Sequence, residues 1–210
     1  MKFRVIIKIL GCIFIAAGLF IVVGSMYINF RQQAMKKSAI EEFYDKITIK
    51  EVPLESIAND EAISETASEA ASAGSTMAEG DILYMLRIPS IDSENPVREG
   101  VSAGVLADSL GHEPGTAYIG ECGNCVIAGH RNYSFGSFFN RLNEVEIGDT
   151  IYVDTATDSF AYIVKEIKVV EPEDLSVLEQ TETETLTLYT CTPLYIATHR
   201  LVIVAQLKTD

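Results

Sequence analysis

Thr187-Leu188-Tyr189-Thr190-Cys191-Thr192-Pro193, followed by Thr198-His199-Arg200-Leu201-Val202, decides how this chain is read. The first run is strand-like and carries a cysteine at its end. The second opens another strand-like run, with an arginine nine residues after the cysteine. Upstream, Cys125-Val126-Ile127-Ala128-Gly129-His130-Arg131 sets a histidine behind an apolar strand. Cys191, His130 and Arg200 are the three parts that thiol-based acyl transfer needs. One is a nucleophile, one a proton carrier, one a fixed positive charge for a developing oxyanion. Each alone has an ordinary reading: a lone strand-end cysteine is often a small buried apolar residue, and a lone arginine a solvated charge. The combination in context carries the chemistry.

Strands surround these runs. Ile82-Leu83-Tyr84-Met85-Leu86-Arg87-Ile88 reads as a strand ended by Pro89 and Ser90. Further strands are expected over 116–119, 126–128, 150–153, 160–170, 186–190 and 200–207. Ile151 and Val153 flank Tyr152, and Phe160, Tyr162 and Val164 share one face, as period-two alternation requires. Two short helices are expected, over 103–109 and 135–143, the second with Phe138, Phe139 and Leu142 on its apolar side. Many short strands and little long helix predict a mainly β domain built as a closed or nearly closed barrel.

Before residue 81 the chain changes character. Residues 9–27 are free of charge, 19 in a row. As a helix they span roughly 28 Å, about one hydrocarbon core. The run is longer than a cleavable signal's apolar region, so it reads as an uncleaved anchor, with a signal cut near Gly24-Ser25 as the alternative. Three basic residues on each side leave its orientation open. Residues 30–50 read as a helix leaving the membrane. Residues 51–81 hold eight acids, no Lys or Arg and no aromatic residue, the composition of a flexible stalk. The division is therefore 1–30 anchor, 31–80 juxtamembrane helix and acidic stalk, 81–210 catalytic domain. The net charge is −14, and residues 41–210 hold 10 basic against 30 acidic residues. So acidic a body is a poor nucleic-acid binder, because phosphate neutralisation needs basic surface.

The combined pattern resembles the sortase family. Thr-Leu-x-Thr-Cys at 187–191, Arg200 opening the last strand and Gly129-His130-Arg131 upstream carry the likeness. Ile88-Pro89-Ser90-Ile91, Pro96-Val97-Arg98-Glu99-Gly100-Val101 and Gly123-Asn124-Cys125-Val126-Ile127-Ala128 extend it. Phe138 and Ile147-Gly148-Asp149 do so too. The resemblance covers about 81–210. It implies a closed eight-stranded β-barrel with short helices, here preceded by one N-terminal transmembrane helix. It implies cysteine transpeptidation outside a single-pass membrane anchor in a Gram-positive cell. Cys191 would be the nucleophile, His130 the acid/base and Arg200 the transition-state and substrate-binding residue. The implied partners are secreted proteins with a Leu-Pro-x-Thr-Gly-like C-terminal sorting signal, and an amine of a peptidoglycan precursor or a pilin as acceptor. No cofactor and no metal is implied. The acidic loop between Pro172 and Thr185 would form one groove wall.

The subclass is divided. Thr192-Pro193 and Thr198–Leu201 look like pilin-polymerising class C enzymes, whereas the missing lid motif before residue 81 and the compact stretch 82–129 look like class D. Other readings are an L,D-transpeptidase, which expects Ser-His-Gly-Cys, and a non-catalytic surface protein stapled through Cys122, Cys125 and a histidine. Cys122-Gly123-Asn124-Cys125 precedes a strand rather than opening a helix, unlike a thioredoxin-type redox pair. A zinc site there would consume His130 or Cys191. It is read as an ordinary pair, at most an adventitious disulfide. Period two turns His199 away from Arg200, and His112 resembles a loop position without a catalytic role.

Overall fold

Phe160, Tyr162 and Val164 do share a face, and that face points into a barrel core. Ile151 and Val153 join them there, both fully buried. The structure is a computed structural model that describes residues 2–50, 77–131, 138–194 and 196–209, with some side chains of 2–50 outside the description. The described residues form eight strands: β1 (Ile82–Ile88), β2 (Ser93–Glu99), β3 (Leu110–His112), β4 (Asn124–Ala128), β5 (Thr150–Asp154), β6 (Ser159–Val170), β7 (Thr185–Thr192) and β8 (His199–Leu207). They close in the order β1-β2-β3-β4-β7-β8-β6-β5. The expected mainly β, closed eight-stranded barrel is thus the observed one. Closure removes the unpaired edges that an open sheet would leave.

Leu86, Ile88, Val97, Leu110, Ile127, Leu186, Leu188 and Ile203 fill the barrel with Phe139 and Tyr162. The seam between β1 and β5 carries a forked ion pair. Arg87 Nε lies 2.9 Å from Asp154 Oδ2, and Nη2 lies 3.1 Å from Oδ1. The same guanidinium sits over the Tyr152 ring. Burial alone would raise the Asp154 carboxyl, but hydrogen bonds from Arg87 and Ser159 win and hold it below the usual carboxylate range.

Several elements depart from the sequence-based expectations. Residues 116–119 are a loop, not a strand. Thr116 Oγ1 donates to Glu113 O, and the Ile119 N–H donates to the Tyr84 hydroxyl, so local side-chain bonds replace a ladder. The helix expected over 103–109 stops early: α2 (Ala103–Leu106) is capped by Ser102, whose Oγ accepts from Val105 N–H. Of 135–143, residues 135–137 lie outside the description, 138–141 are a turn, and 142–143 open a 3-10 turn, Leu142–Glu144. Phe138 has φ 55, in the left-handed region, which no α-helix accommodates.

The N-terminal part forms one helix, α1 (Lys2–Lys50). Residues 9–27 fall inside it. Yet among the described residues no helix is long and apolar enough to cross a membrane. The side chains of 2–10 and 12 lie outside the description, so the 19-residue run is only partly described. Most of the expected stalk, 51–76, is likewise outside it. The chain divides into two compact units, Met1–Ser38 and Ala39–Asp210. Within the second, Phe43 is 3% exposed and packs with Ile40 onto Ile82 and Met85 of β1. Glu42 also meets Arg98 Nη2 at 3.1 Å. The end of α1 therefore covers an apolar patch on the barrel's outside.

Phe43→Ala should lower unfolding free energy by about 3 kcal/mol, through lost burial and a residual cavity. Urea unfolding reads this, and an unchanged midpoint would contradict the packing. Arg87→Met should remove the Asp154 contribution, which exists above the unfolded carboxyl pKa near ~3.9 and is lost as pH falls through the lower native value. Wild type should therefore exceed the variant at pH 7 by no more than about 1 kcal/mol, since the pair is partly exposed, and the gap should narrow as the pH falls below the unfolded carboxyl pKa.

Candidate active site

The side-chain phase of three neighbouring strands builds the site. On β7, Leu186 and Leu188 point into the core, so Thr185, Thr187, Tyr189 and Cys191 point outward. On β8, Leu201, Ile203 and Ala205 point inward, leaving Arg200 and Val202 outward. On β4, Cys125 and Ile127 point inward, leaving Asn124, Val126 and Ala128 outward.

Register then decides which outward residues meet. β7 and β8 are antiparallel and set Cys191 directly opposite Arg200. Such opposite residues have Cα atoms about 4.5–5.5 Å apart and side chains on one face. β4 and β7 are parallel, with Ala128 level with Tyr189. The alignment continues past the end of β4. The Gly129 N–H donates to Tyr189 O, Thr190 Oγ1 donates to Gly129 O at 2.7 Å, and Arg131 Nη1 donates to Thr192 Oγ1 at 2.8 Å. His130 lies between these fixed points, beside the end of β7 that carries Cys191. His130, just past the end of β4, Cys191 on β7 and Arg200 on β8 thus form a row. His130 is exposed, while Cys191 and Arg200 are half-buried.

Local chemistry holds this row. A Cβ on Gly129 would come within 2.5 Å of Phe139 Cδ2 and 2.6 Å of Leu110 Cδ2. Only glycine lets the core pack so closely beneath the residue before His130. The Phe139 N–H donates to His130 O at 3.2 Å. Asn95, fully buried in β2, accepts from Phe138 N–H through Oδ1 and fixes the returning turn. Arg131 Nη2 donates to Asn143 Oδ1 at 2.7 Å and ties the same turn from outside.

One pair beside the row is invisible to pattern reading. The Tyr189 hydroxyl donates to Glu113 Oε2 at 2.9 Å. Burial, then the Glu113 charge and hydrogen bond, push the Tyr189 phenol well above its usual range, and the Arg200 charge opposes them. Tyr189 stands diagonal to Arg200, since it pairs with Val202. Glu113 is 76 residues away in sequence, so no local spacing could reveal this contact.

The remaining candidates lie elsewhere. His112 is buried, with Nδ1 2.9 Å from Glu99 Oε2 and Nε2 3.1 Å from Ala117 O, and it stacks on Tyr118. His199 turns to Glu171, 3.3 Å from Nε2. Cys122, Cys125 and Cys191 are free thiols. Cys122 and Cys125 form no disulfide, so of the two ordinary readings the adventitious disulfide is not the one observed. Cys125 sits in the barrel core, where burial raises its thiol pKa well above the ordinary value. Cys122 is exposed, and its Sγ donates to Glu182 O. Among the described residues no group of three or more His, Cys, Asp or Glu is placed to hold a metal.

Comparison with known proteins agrees with this architecture. The sortase domain family model matches residues 86–208, more than half of the chain. Sortase D of Bacillus subtilis is 35% identical over 115 residues, covering 54% of this chain and 56% of that protein. Sortase SrtE1 of Streptomyces coelicolor is 32% identical over 140 residues, covering 59% and 40%. The chain thus spans about half the length of these relatives. Among solved structures, a Clostridium perfringens sortase D5 transpeptidase superposes with TM-score 0.65 at 30% identity, over 84% of this chain and 99% of that one. Sortase C-1 of Actinomyces oris gives TM-score 0.59 at 30% identity, over 62% and 76%. With its barrel order and the family match together, the chain belongs to the sortase family.

Proposed function

We propose that the chain is a cysteine transpeptidase acting on C-terminal sorting signals of the Leu-Pro-x-Thr-Gly kind. The row of His130, Cys191 and Arg200 on one outer face of the barrel carries this reading. The Cys191 thiol gives its proton to His130, and its sulfur attacks the Thr–Gly carbonyl. The carbonyl oxygen becomes an oxyanion, and Arg200, opposite Cys191, donates to it. As the C–N bond breaks, His130 protonates the leaving amine, and a thioester on Cys191 remains. An acceptor amine then attacks the thioester. Its proton passes to His130, and the Cys191 sulfur leaves. This is ping-pong chemistry, and it needs no group that the chain lacks.

The acceptor follows from the class D likeness, which favours an amine of the cell wall precursor. Polymerisation of pilins is the second reading, favoured by the likeness to sortase C-1 of Actinomyces oris. A membrane anchor within the first unit completes the reading. Ile13, Phe14, Ile15, Leu19, Phe20 and Ile21 are all exposed on α1, an apolar surface suited to lipid rather than water. The catalytic domain then lies outside the cell, where sorting signals and wall amines meet.

The chain, given a quenched Leu-Pro-x-Thr-Gly peptide library and an amine, should release a ligated product. Cys191→Ala and His130→Ala should each abolish it. Arg200→Ala should lower turnover about 10²–10³-fold, the worth of one oxyanion donor. Full activity in Cys191→Ala would sink the assignment. A thiol probe on the folded chain should label Cys191 before Cys122, and Cys125 only after unfolding. An inert Cys191 beside a reactive Cys122 would instead favour a non-catalytic surface protein.

A further inference from the structure

The run Cys122-Gly123-Asn124 takes no part in the row, yet it grips the connection between β6 and β7 repeatedly. Asn124 is 3% exposed. Its Nδ2 donates to Val177 O and Glu179 O, both at 3.0 Å. Its Oδ1 accepts from Thr187 Oγ1 at 2.7 Å, and its backbone N–H donates to Gln180 Oε1 at 3.2 Å. The Gly123 carbonyl accepts from Thr185 N–H at 2.9 Å. A Cβ on Gly123 would come within 2.6 Å of Gln180 Oε1. Cys122 Sγ donates to Glu182 O at 3.1 Å.

The gripped segment, 171–184, has a defined path. It leaves β6 at Val170, which pairs with Arg200, so it begins at the level of the row. It re-enters the barrel at Thr185, which is level with Asn124 at the far end of β7. Outward residues of β4 and β7 near that far end, Val126, Thr185 and Thr187, are buried. Outward residues at the near end, Tyr189, Cys191 and Arg200, are half-exposed. Along β7 the change from covered to open outer face therefore falls between Thr187 and Tyr189, beside the row.

We infer that Asn124 is a positioning residue for substrate recognition: it pins the Val177–Glu179 turn, so that segment 171–184 stands as a fixed wall of the groove that holds His130, Cys191 and Arg200. The inference rests on the transpeptidase reading. An amide is the one short side chain that offers two N–H donors to two carbonyls and an acceptor to a hydroxyl. A carboxylate keeps the acceptor and loses both donors, and it sets negative charge against two carbonyl oxygens. Val177 O and Glu179 O then lack their partner. Asn124 is six residues from His130 along β4, about 20 Å in an extended strand, so the reacting atoms are untouched. The groove wall loosens while the chemistry is preserved.

Asn124→Asp in the full chain tests this by hydrogen exchange and steady-state kinetics with a Leu-Pro-x-Thr-Gly peptide. Amides of 175–184 should exchange about tenfold faster, with β7 and β8 amides unchanged, and KM should rise about tenfold at nearly constant kcat, the factor one lost hydrogen bond commands. Gln180→Ala, which removes only the acceptor of the Asn124 N–H, should shift both in the same direction by less. It serves if Asn124→Asp does not fold. Unchanged exchange in 175–184, or a loss confined to kcat, would overturn the inference. A wild-type chain that cleaves no sorting peptide would overturn the transpeptidase reading instead, while exchange would still report the pinning.

Discussion

The parallel register of β4 against β7 is the constraint on which the rest depends. Ala128 level with Tyr189 brings the segment that carries His130 beside the end of β7, and the β7–β8 register sets Arg200 opposite Cys191. A slip of one residue would turn the outward set of a strand into the core and bury the thiol. The register is held because both faces of these strands are specified. Inside, Ile127, Leu186, Leu188 and Ile203 fill the barrel. Outside, Asn124 holds Thr187, and Thr190 holds the Gly129 carbonyl. A chemical row can therefore be placed on a closed scaffold whose strands have no freedom to slide.

The two ends of β4 divide the work. At one end Gly129 lets Phe139 and Leu110 close beneath the chain, and His130 emerges onto the open face. At the other, Asn124 is bonded to the β6–β7 connection on one side and to Thr187 on the other. Between them only apolar residues occur, Cys125 through Ala128, all buried. Tyr189, tied to Glu113, stands next to the row as a fixed aromatic surface rather than a mobile one. Rigid strands carry Cys191 and Arg200, and an irregular connection links β6 to β7.

Legibility in the sequence followed the locality of the signal. β7 and β8 read directly, because apolar alternation and the Cys–Arg spacing both lie within one short stretch. β6 read equally well through Phe160, Tyr162 and Val164. β2 did not, because Pro96, Glu94, Arg98 and Glu99 break the apolar pattern, although Asn95 and Val97 are fully buried. β3 has three residues, too few for any period to show. The loop 116–119 looked like a strand because its apolar side chains plug the barrel: Ile119 is in the core and Tyr118 packs against it. Cys122 and Cys125 looked like a pair because spacing says nothing of direction, and the chain turns at Gly123, φ 133, between exposed loop and core. The Tyr189–Glu113 bond and the Asn124 grip depend on three-dimensional closure alone.

The most direct test of the account is covalent. The chain would be incubated with a Leu-Pro-x-Thr-Gly peptide in the absence of an acceptor amine, quenched in acid, and its intact mass and modified peptide measured. The account predicts a mass increase equal to the acyl fragment ending in the Thr carbonyl, attached at Cys191 and released when an amine is added. An adduct on Cys122, or an unmodified chain that nevertheless cleaves the peptide, would contradict it.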